Sequence, residues 1–94
     1  MREYYVYILA NRRNGTLYVG VTNDLAGRTF THREGAGAIF TRRYKVGLLA
    51  YYESYQDVRD AIAREKALKK WRRAWKIKLI ETNNPRWHDL YETL

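Results

Sequence analysis

Apolar residues first enter this chain as a dense run, Tyr4-Tyr5-Val6-Tyr7-Ile8-Leu9, rich in β-branched and aromatic side chains. A second run, Leu17-Tyr18-Val19-Gly20-Val21, follows a polar loop that ends in Asn14-Gly15. Two such runs joined through Asn-Gly predict a β-hairpin, because Asn and Gly tolerate the left-handed backbone of a tight turn. Period two then sorts the side chains: Val6 and Ile8 share one face and Tyr5 and Tyr7 the other, while Leu17, Val19 and Val21 lie opposite Tyr18 and Gly20. Matching the apolar faces puts Tyr7 and Tyr18 on one side of the hairpin.

The pattern then changes period. Thr22-Asn23-Asp24 offers capping side chains to a short helix over residues 25–33, weakened by Gly27, in which Arg28 and His32 share a face at i and i+4. A Gly-rich stretch, residues 34–38, ends it and leads into the basic loop 41–45; residues 47–52 read as a third strand. Ser54 and Asp57, three residues apart, resemble a capping box for a long helix whose apolar stripe is Val58, Ala61, Ile62, Glu65 and Leu68. Asp57 and Asp60 suit the positive end of its dipole. The amphipathic phase shifts at Trp71, so a further helix is expected to about Thr82, stopped by Asn84-Pro85-Arg86-Trp87. The expected fold is α/β, a small sheet of about three strands flanked by helices, with residues 1–94 forming one domain.

Charge points to the partner. A net charge of +8 and a pI near 9.9 favour a polyanion, since clustered Lys and Arg release counterions from a nucleic-acid backbone. Nucleic acid is expected before an anionic membrane, because the basic stretches lack the broad apolar face of a membrane helix. Arg42, Arg43, Lys45 and the run from Lys66 to Lys78, with Lys69, Lys70, Arg72 and Arg73 foremost, are the expected phosphate contacts, without sequence readout. Nine Tyr and three Trp also suit stacking on bases, although Trp71, Trp75 and Trp87 are assigned to packing the terminal helices. With no Cys, disulfides, thiol catalysis and thiolate metal sites are excluded. No signal peptide or spanning segment is visible, so the expected location is cytoplasmic, with no membrane partner; a protein partner is left open.

Glu65 is the single carboxylate among residues 63–78, where eight of the other residues are Lys or Arg. An ionised carboxylate on an apolar face needs a counter-charge, either an ion pair with one of the many arginines or a metal ion. A hard divalent cation such as Mg²⁺ keeps most of its waters and needs few protein oxygens, so one carboxylate suggests one metal. Arg28 offers a planar fork matched to phosphate oxygens.

Taken together, the hairpin motifs Val6-Tyr7-Ile8 and Tyr18-Val19-Gly20, Arg28 and His32 on the next helix, and Glu65 on a later one resemble the GIY-YIG nuclease superfamily. The stretch from Ala63 to Arg73, then Lys76 to Glu81 and Asn84-Pro85-Arg86-Trp87, looks like its small single-domain bacterial members. The resemblance implies that Tyr7 and Tyr18 are the two motif tyrosines, that Arg28, His32 and Glu65 complete the site, and that Asn84 belongs to the terminal motif with a role left open. Val6 stands where the first motif's name has Gly, and Val21 where some relatives carry Lys. On pKa alone His32, ordinarily near 6.5, is the better general base than a tyrosine near ~10. The resemblance instead points to a tyrosine, so Tyr18 is ranked first and His32 second, with Tyr7 as orienting partner.

The implied activity is metal-dependent endonucleolytic hydrolysis of nucleic acid, DNA before RNA, structure-specific in repair or recombination, with Mg²⁺ or another divalent cation as cofactor. A non-catalytic nucleic-acid-binding module and a partner-dependent nuclease subunit are the alternatives.

Overall fold

The computed structural model describes residues 3–34 and 43–94; Arg42 and most of the Gly-rich stretch lie outside them. The hairpin forms as the alternation predicts. Strand β1 (Tyr4–Ala10) pairs antiparallel with β2 (Leu17–Thr22), Tyr7 opposite Gly20 and Leu9 opposite Tyr18. Asn14, with φ at 56°, supplies the left-handed turn residue. Strand β3 (Leu48–Tyr55) pairs antiparallel with the other side of β1, giving the order β2-β1-β3 with a bulge opposite Ile8 and Leu9. This strand extends past the expected Tyr52 to Tyr55 and takes Ser54 into the sheet. Ser54 is therefore not a cap; Asp57 itself caps the next helix, its carboxylate accepting from the Arg59 amide at 2.8 Å.

Helix α1 (Leu25–Arg33) begins where expected, with the Asp24 carboxylate accepting from the Gly27 amide at 3.1 Å. A Cβ at Gly27 would lie 2.2 Å from that carboxylate, so this glycine, a weakness in the helix by propensity, is what lets its cap close. Helices α2 (Val58–Lys70) and α3 (Arg73–Asn83) are separated by Trp71, whose extended backbone at ψ 149° accounts for the shift of amphipathic phase. Ala61 and Leu68, seven residues apart and thus nearly aligned, are fully buried. Val58 and Ile62 fall to the flank of that line and stay exposed, so the predicted apolar stripe is narrower than its sequence pattern.

The sheet is covered on both faces. Val6, Ile8 and Ala10 of β1 and Val19 of β2 pack with Ala61 and Leu68 of α2, Ile80 of α3 and Trp87. Tyr7 and Leu9, with Leu49 of β3, pack with Leu25 of α1 and Val46, joined by the partly buried Tyr5, Tyr18, Leu90 and Tyr91. Alternate residues of one strand thus feed two cores, one on each face of the sheet, the second gathering Tyr5, Tyr7 and Tyr18.

The terminal turn is pinned from within. Buried Asn84 donates through Nδ2 to the carbonyls of Ala50 on β3 and His88, at 3.0 and 2.9 Å, and accepts from the His88 amide at 3.0 Å. Asp89, which caps a short 3-10 helix (Leu90–Thr93), also accepts from the Leu49 amide at 3.1 Å and pairs with Arg33. Trp87 is buried, with its indole donating to Glu81 at 2.8 Å. Trp75, expected to pack in the same way, is instead 52% exposed.

Candidate active site

Tyr7 is the centre of the phenol-lined face. Its side chain is almost fully buried, and its hydroxyl lies 3.3 Å from His32 Nε2, a hydrogen bond between residues 25 positions apart whose direction follows the imidazole tautomer. Room for that hydroxyl comes from the neighbouring strand. A Cβ on Gly20, the cross-strand partner of Tyr7, would lie 2.4 Å from the Tyr7 oxygen. The second motif's glycine is thus a space requirement of the first motif's tyrosine. Sequence reasoning treated Gly20 only as a position in a pattern, although glycine inside a strand is a recognised sign of close approach.

Tyr18 completes a ring cluster. Its centroid lies 5.2 Å from that of His32 and 6.4 Å from that of Tyr7, in tilted arrangements. Burial raises the Tyr7 pKa well above the ordinary phenol value; Tyr18 and Glu65 add to the rise and the Arg28 cation opposes it. Burial, reinforced by the Arg28 cation, pushes the His32 pKa down, so the imidazole is neutral near pH 7. One hydroxyl therefore senses residues from β2, α1 and α2 together. Tyr7, Tyr18 and His32 are mutual ring neighbours, and the charges of Arg28 and Glu65 act on the Tyr7 hydroxyl at their centre, across 59 positions of sequence.

Their exposures differ. Tyr7 and His32 are buried, Tyr18 is half-buried and Arg28 is exposed, reaching a polar hollow of about 420 Å³ shared with Thr22 and Thr31. Tyr18 also lines a hollow of about 310 Å³ on the β2 edge, where Lys69 of α2 and Lys76 of α3 meet it. Lys76 belongs to the basic run expected to grip phosphates, although its meeting with Tyr18 was not expected. That meeting depends on how α3 packs against the sheet, which the sequence pattern does not fix.

Glu65 finds a cation, though not an arginine. Its side chain is 15% exposed, and Lys69, one helical turn on, holds its Oε2 at 3.0 Å. Among the described residues no group of three or more acidic or His side chains converges, so Glu65 offers a divalent ion a carboxylate outside any such group. A hard cation that retains waters and shares a substrate phosphate fits that donor. Lys69 would have to yield its place to such an ion.

The expected phosphate contacts divide. Lys45, Lys69 and Lys70 are exposed, and the Arg43 and Arg72 guanidinium groups lie over the Tyr44 and Trp75 rings at 5.8 and 5.5 Å. Arg73 instead donates to the carbonyls of Asn14 and Gly15, both at 2.6 Å, and ties α3 to the hairpin turn. Arg42 lies outside the described residues. Asn84 is held by the backbone of the terminal turn.

A second acidic centre lies on β3. Glu53 accepts from Tyr51, from Tyr55 at 2.6 Å and from Arg64 Nε at 2.7 Å. Burial alone would raise its pKa, but the three hydrogen bonds outweigh it and hold the carboxyl below the usual range. In turn burial, with Glu53 beside it, pushes Tyr55 up to about 12.

Comparison with known proteins shows which family carries this arrangement of elements. Residues 3–78 match the GIY-YIG catalytic domain. UPF0213 proteins from Staphylococcus haemolyticus and Bacillus pumilus are 36% and 40% identical over 81 and 79 residues, covering 86% and 84% of this chain and 98% and 80% of theirs. A solution NMR structure of a UPF0213 protein from Bacillus halodurans superposes with a TM-score of 0.58 at 28% identity, over 93% of this chain and 92% of that one. The names of these relatives specify no reaction, whereas the matched domain is catalytic by description and spans every residue of the tyrosine cluster. With hairpin tyrosines, helix Arg and His, and Glu65 all inside the matched span, the chain belongs to the GIY-YIG family.

Proposed function

We propose that this protein is a divalent-metal-dependent endonuclease that hydrolyses phosphodiester bonds in nucleic acid, DNA before RNA, with branched or otherwise irregular structures of repair and recombination as its substrates. The observation that carries the proposal is the Tyr7–His32–Tyr18 cluster, whose central hydroxyl feels the charges of Arg28 and Glu65.

Hydrolysis requires a base for the attacking water and stabilisation of charge on the phosphate oxygens. Tyr7, buried with a raised pKa, keeps its proton and fixes the His32 ring. Tyr18 faces the open hollow on the β2 edge and is the group that water can reach, which keeps it first as base. Neutral His32, packed on the Tyr18 ring, is the second acceptor. Arg28 presents its fork to the non-bridging oxygens, for which a single point charge is a poor substitute. A divalent ion at Glu65 would act as a Lewis acid on the phosphate. Lys69 and Lys76 beside Tyr18 hold the flanking phosphate.

The Glu65–Lys69 pair favours the other reading, a binding module without chemistry, because a cation already answers the carboxylate. Purified protein incubated with labelled flap, junction, duplex and single-stranded substrates, in Mg²⁺ and in chelator, separates the two. Cleavage that needs the metal and is lost in both Arg28→Ala and Arg28→Lys is expected. Binding without cleavage of any substrate in Mg²⁺ or Mn²⁺ would leave the module.

A further inference from the structure

Trp75 is the anomaly of the packed chain. A tryptophan 52% exposed on a short helix leaves much apolar area in water. Its surroundings are not random. The Trp71 and Trp75 rings stand at 83° with centroids 6.1 Å apart. With Lys78, Leu79 and Thr82 they wall a hollow of about 320 Å³, at the small end of ligand pockets, which run from about 300 to 1,000 Å³.

Cations frame it. The Arg72 guanidinium lies over Trp75 at 5.5 Å, and Arg64 lies over Trp71 at 5.0 Å. Arg64 is itself held by Glu53 at 2.7 Å, so this side of the hollow is fixed before any ligand arrives. The combination of an aromatic wall and a cationic rim on a chain of net charge +8 suits a ligand that is flat and apolar on its face and anionic at its edge.

We infer that the Trp71/Trp75 hollow is a stacking site for an unpaired nucleobase, with Arg72 and Lys78 meeting the phosphates on either side. A base within a duplex has both faces covered by its neighbours, so only a single-stranded or splayed nucleotide can enter. The inference rests on the nuclease reading and deepens it, naming nucleic acid with unpaired residues as the substrate class. Connection to the chemistry runs through α3. Trp75 lines this hollow and the next residue, Lys76, lines the one beside Tyr18, so a strand crossing α3 passes from the stacking site to the reacting phosphate.

The test reads binding in chelator, where no metal-dependent cleavage intervenes. A single-stranded DNA oligonucleotide is titrated into wild type, Trp75→Ala and Trp75→Phe, with tryptophan fluorescence and anisotropy of the labelled strand as readouts. An abasic strand of equal length and a blunt duplex serve as ligands that offer phosphate without a free base. Wild type should show indole quenching with the single strand and little with the duplex. Trp75→Ala should bind it roughly tenfold or more weakly, with Trp75→Phe keeping most of the affinity. The abasic strand should bind wild type and Trp75→Ala alike. Because Trp75 is exposed, both variants should melt within a few degrees of wild type, and the abasic comparison needs no variant at all. Equal affinity of Trp75→Ala and wild type for the native strand would overturn the site, as would equal quenching by duplex, or quenching by an acidic aromatic peptide but not by DNA. Failure to cleave any substrate in Mg²⁺ would count against the nuclease reading alone.

Discussion

Two glutamates of similar burial, Glu53 on β3 and Glu65 on α2, have been solved by the fold in opposite ways. Glu53 is 18% exposed and held by two phenols and a guanidinium. Glu65 is 15% exposed and meets a lysine that is itself 53% exposed. A carboxylate bound by rigid donors from several elements fixes structure, because removing it strands every partner. One answered by a flexible, wet lysine on its own helix can exchange that cation for another at small cost. The difference between the two centres, more than burial or charge, separates a structural carboxylate from one available for chemistry.

The sharpest way to break this comparison is Glu65→Gln. Metal-dependent cleavage should fall about a thousandfold, while the melting temperature in chelator stays within about 2 °C of wild type, since an i, i+4 pair whose lysine is 53% exposed contributes only ~0.3–0.5 kcal/mol and the neutral amide leaves that lysine in water. A large loss of stability in chelator would make Glu65 a second Glu53. Next in size is Gly20→Ala. The added methyl must displace the Tyr7 hydroxyl, 2.4 Å away, so cleavage should fall about a hundredfold and stability by ~1–3 kcal/mol; single-turnover rates and urea unfolding read both.

Glu53→Gln should behave in reverse. Unfolding in urea should show a loss of about 2 kcal/mol as Arg64, Tyr51 and Tyr55 lose a charged acceptor, with cleavage nearly unchanged at a temperature where the variant is folded. A catalytic defect larger than the stability defect would join the two centres. The smallest effect separates them by pH. His32 has a folded pKa below its ordinary 6.5, so the unfolded chain takes up protons first. The stability it contributes is complete above pH 6.5 and falls as pH drops through the folded value. Glu53 acts in the same direction only below pH 4.5. Urea midpoints of His32→Gln measured between pH 7 and 5 should be flatter than those of wild type, and parallel curves would remove His32 from the account.

Much of this was legible along the chain. Alternation in residues 4–9 and 17–21 placed Tyr7 and Tyr18 on one face, and the i, i+4 spacing set Arg28 beside His32, because both inferences depend only on local geometry. Glu65 was recognisable by its position on an apolar stripe. Its partner Lys69 was equally local, yet in so basic a run nothing distinguished it from its neighbours. The Glu53 centre was hidden for a different reason. A strand residue bonded to its own i−2 and i+2 tyrosines and to an arginine on the next helix has a meaning only once β3 extends to Tyr55. The exposure of Trp75 was likewise invisible, since a large aromatic at helical spacing ordinarily reads as core.

The bonds of Asn84 and Asp89 to β3 have a consequence for the solution behaviour of this small basic protein. β3 lies at one margin of the sheet, and unpaired backbone on such a margin is a template for a strand from another molecule. At the bulge in that strand the Leu49 amide is answered by Asp89 and the Ala50 carbonyl by Asn84. Side chains from beyond the matched residues 3–78 thus occupy two of the positions an incoming strand would need. The terminal turn thus covers part of that margin, and a chain shortened before residue 84 is expected to self-associate more readily even with every residue of the tyrosine cluster in place.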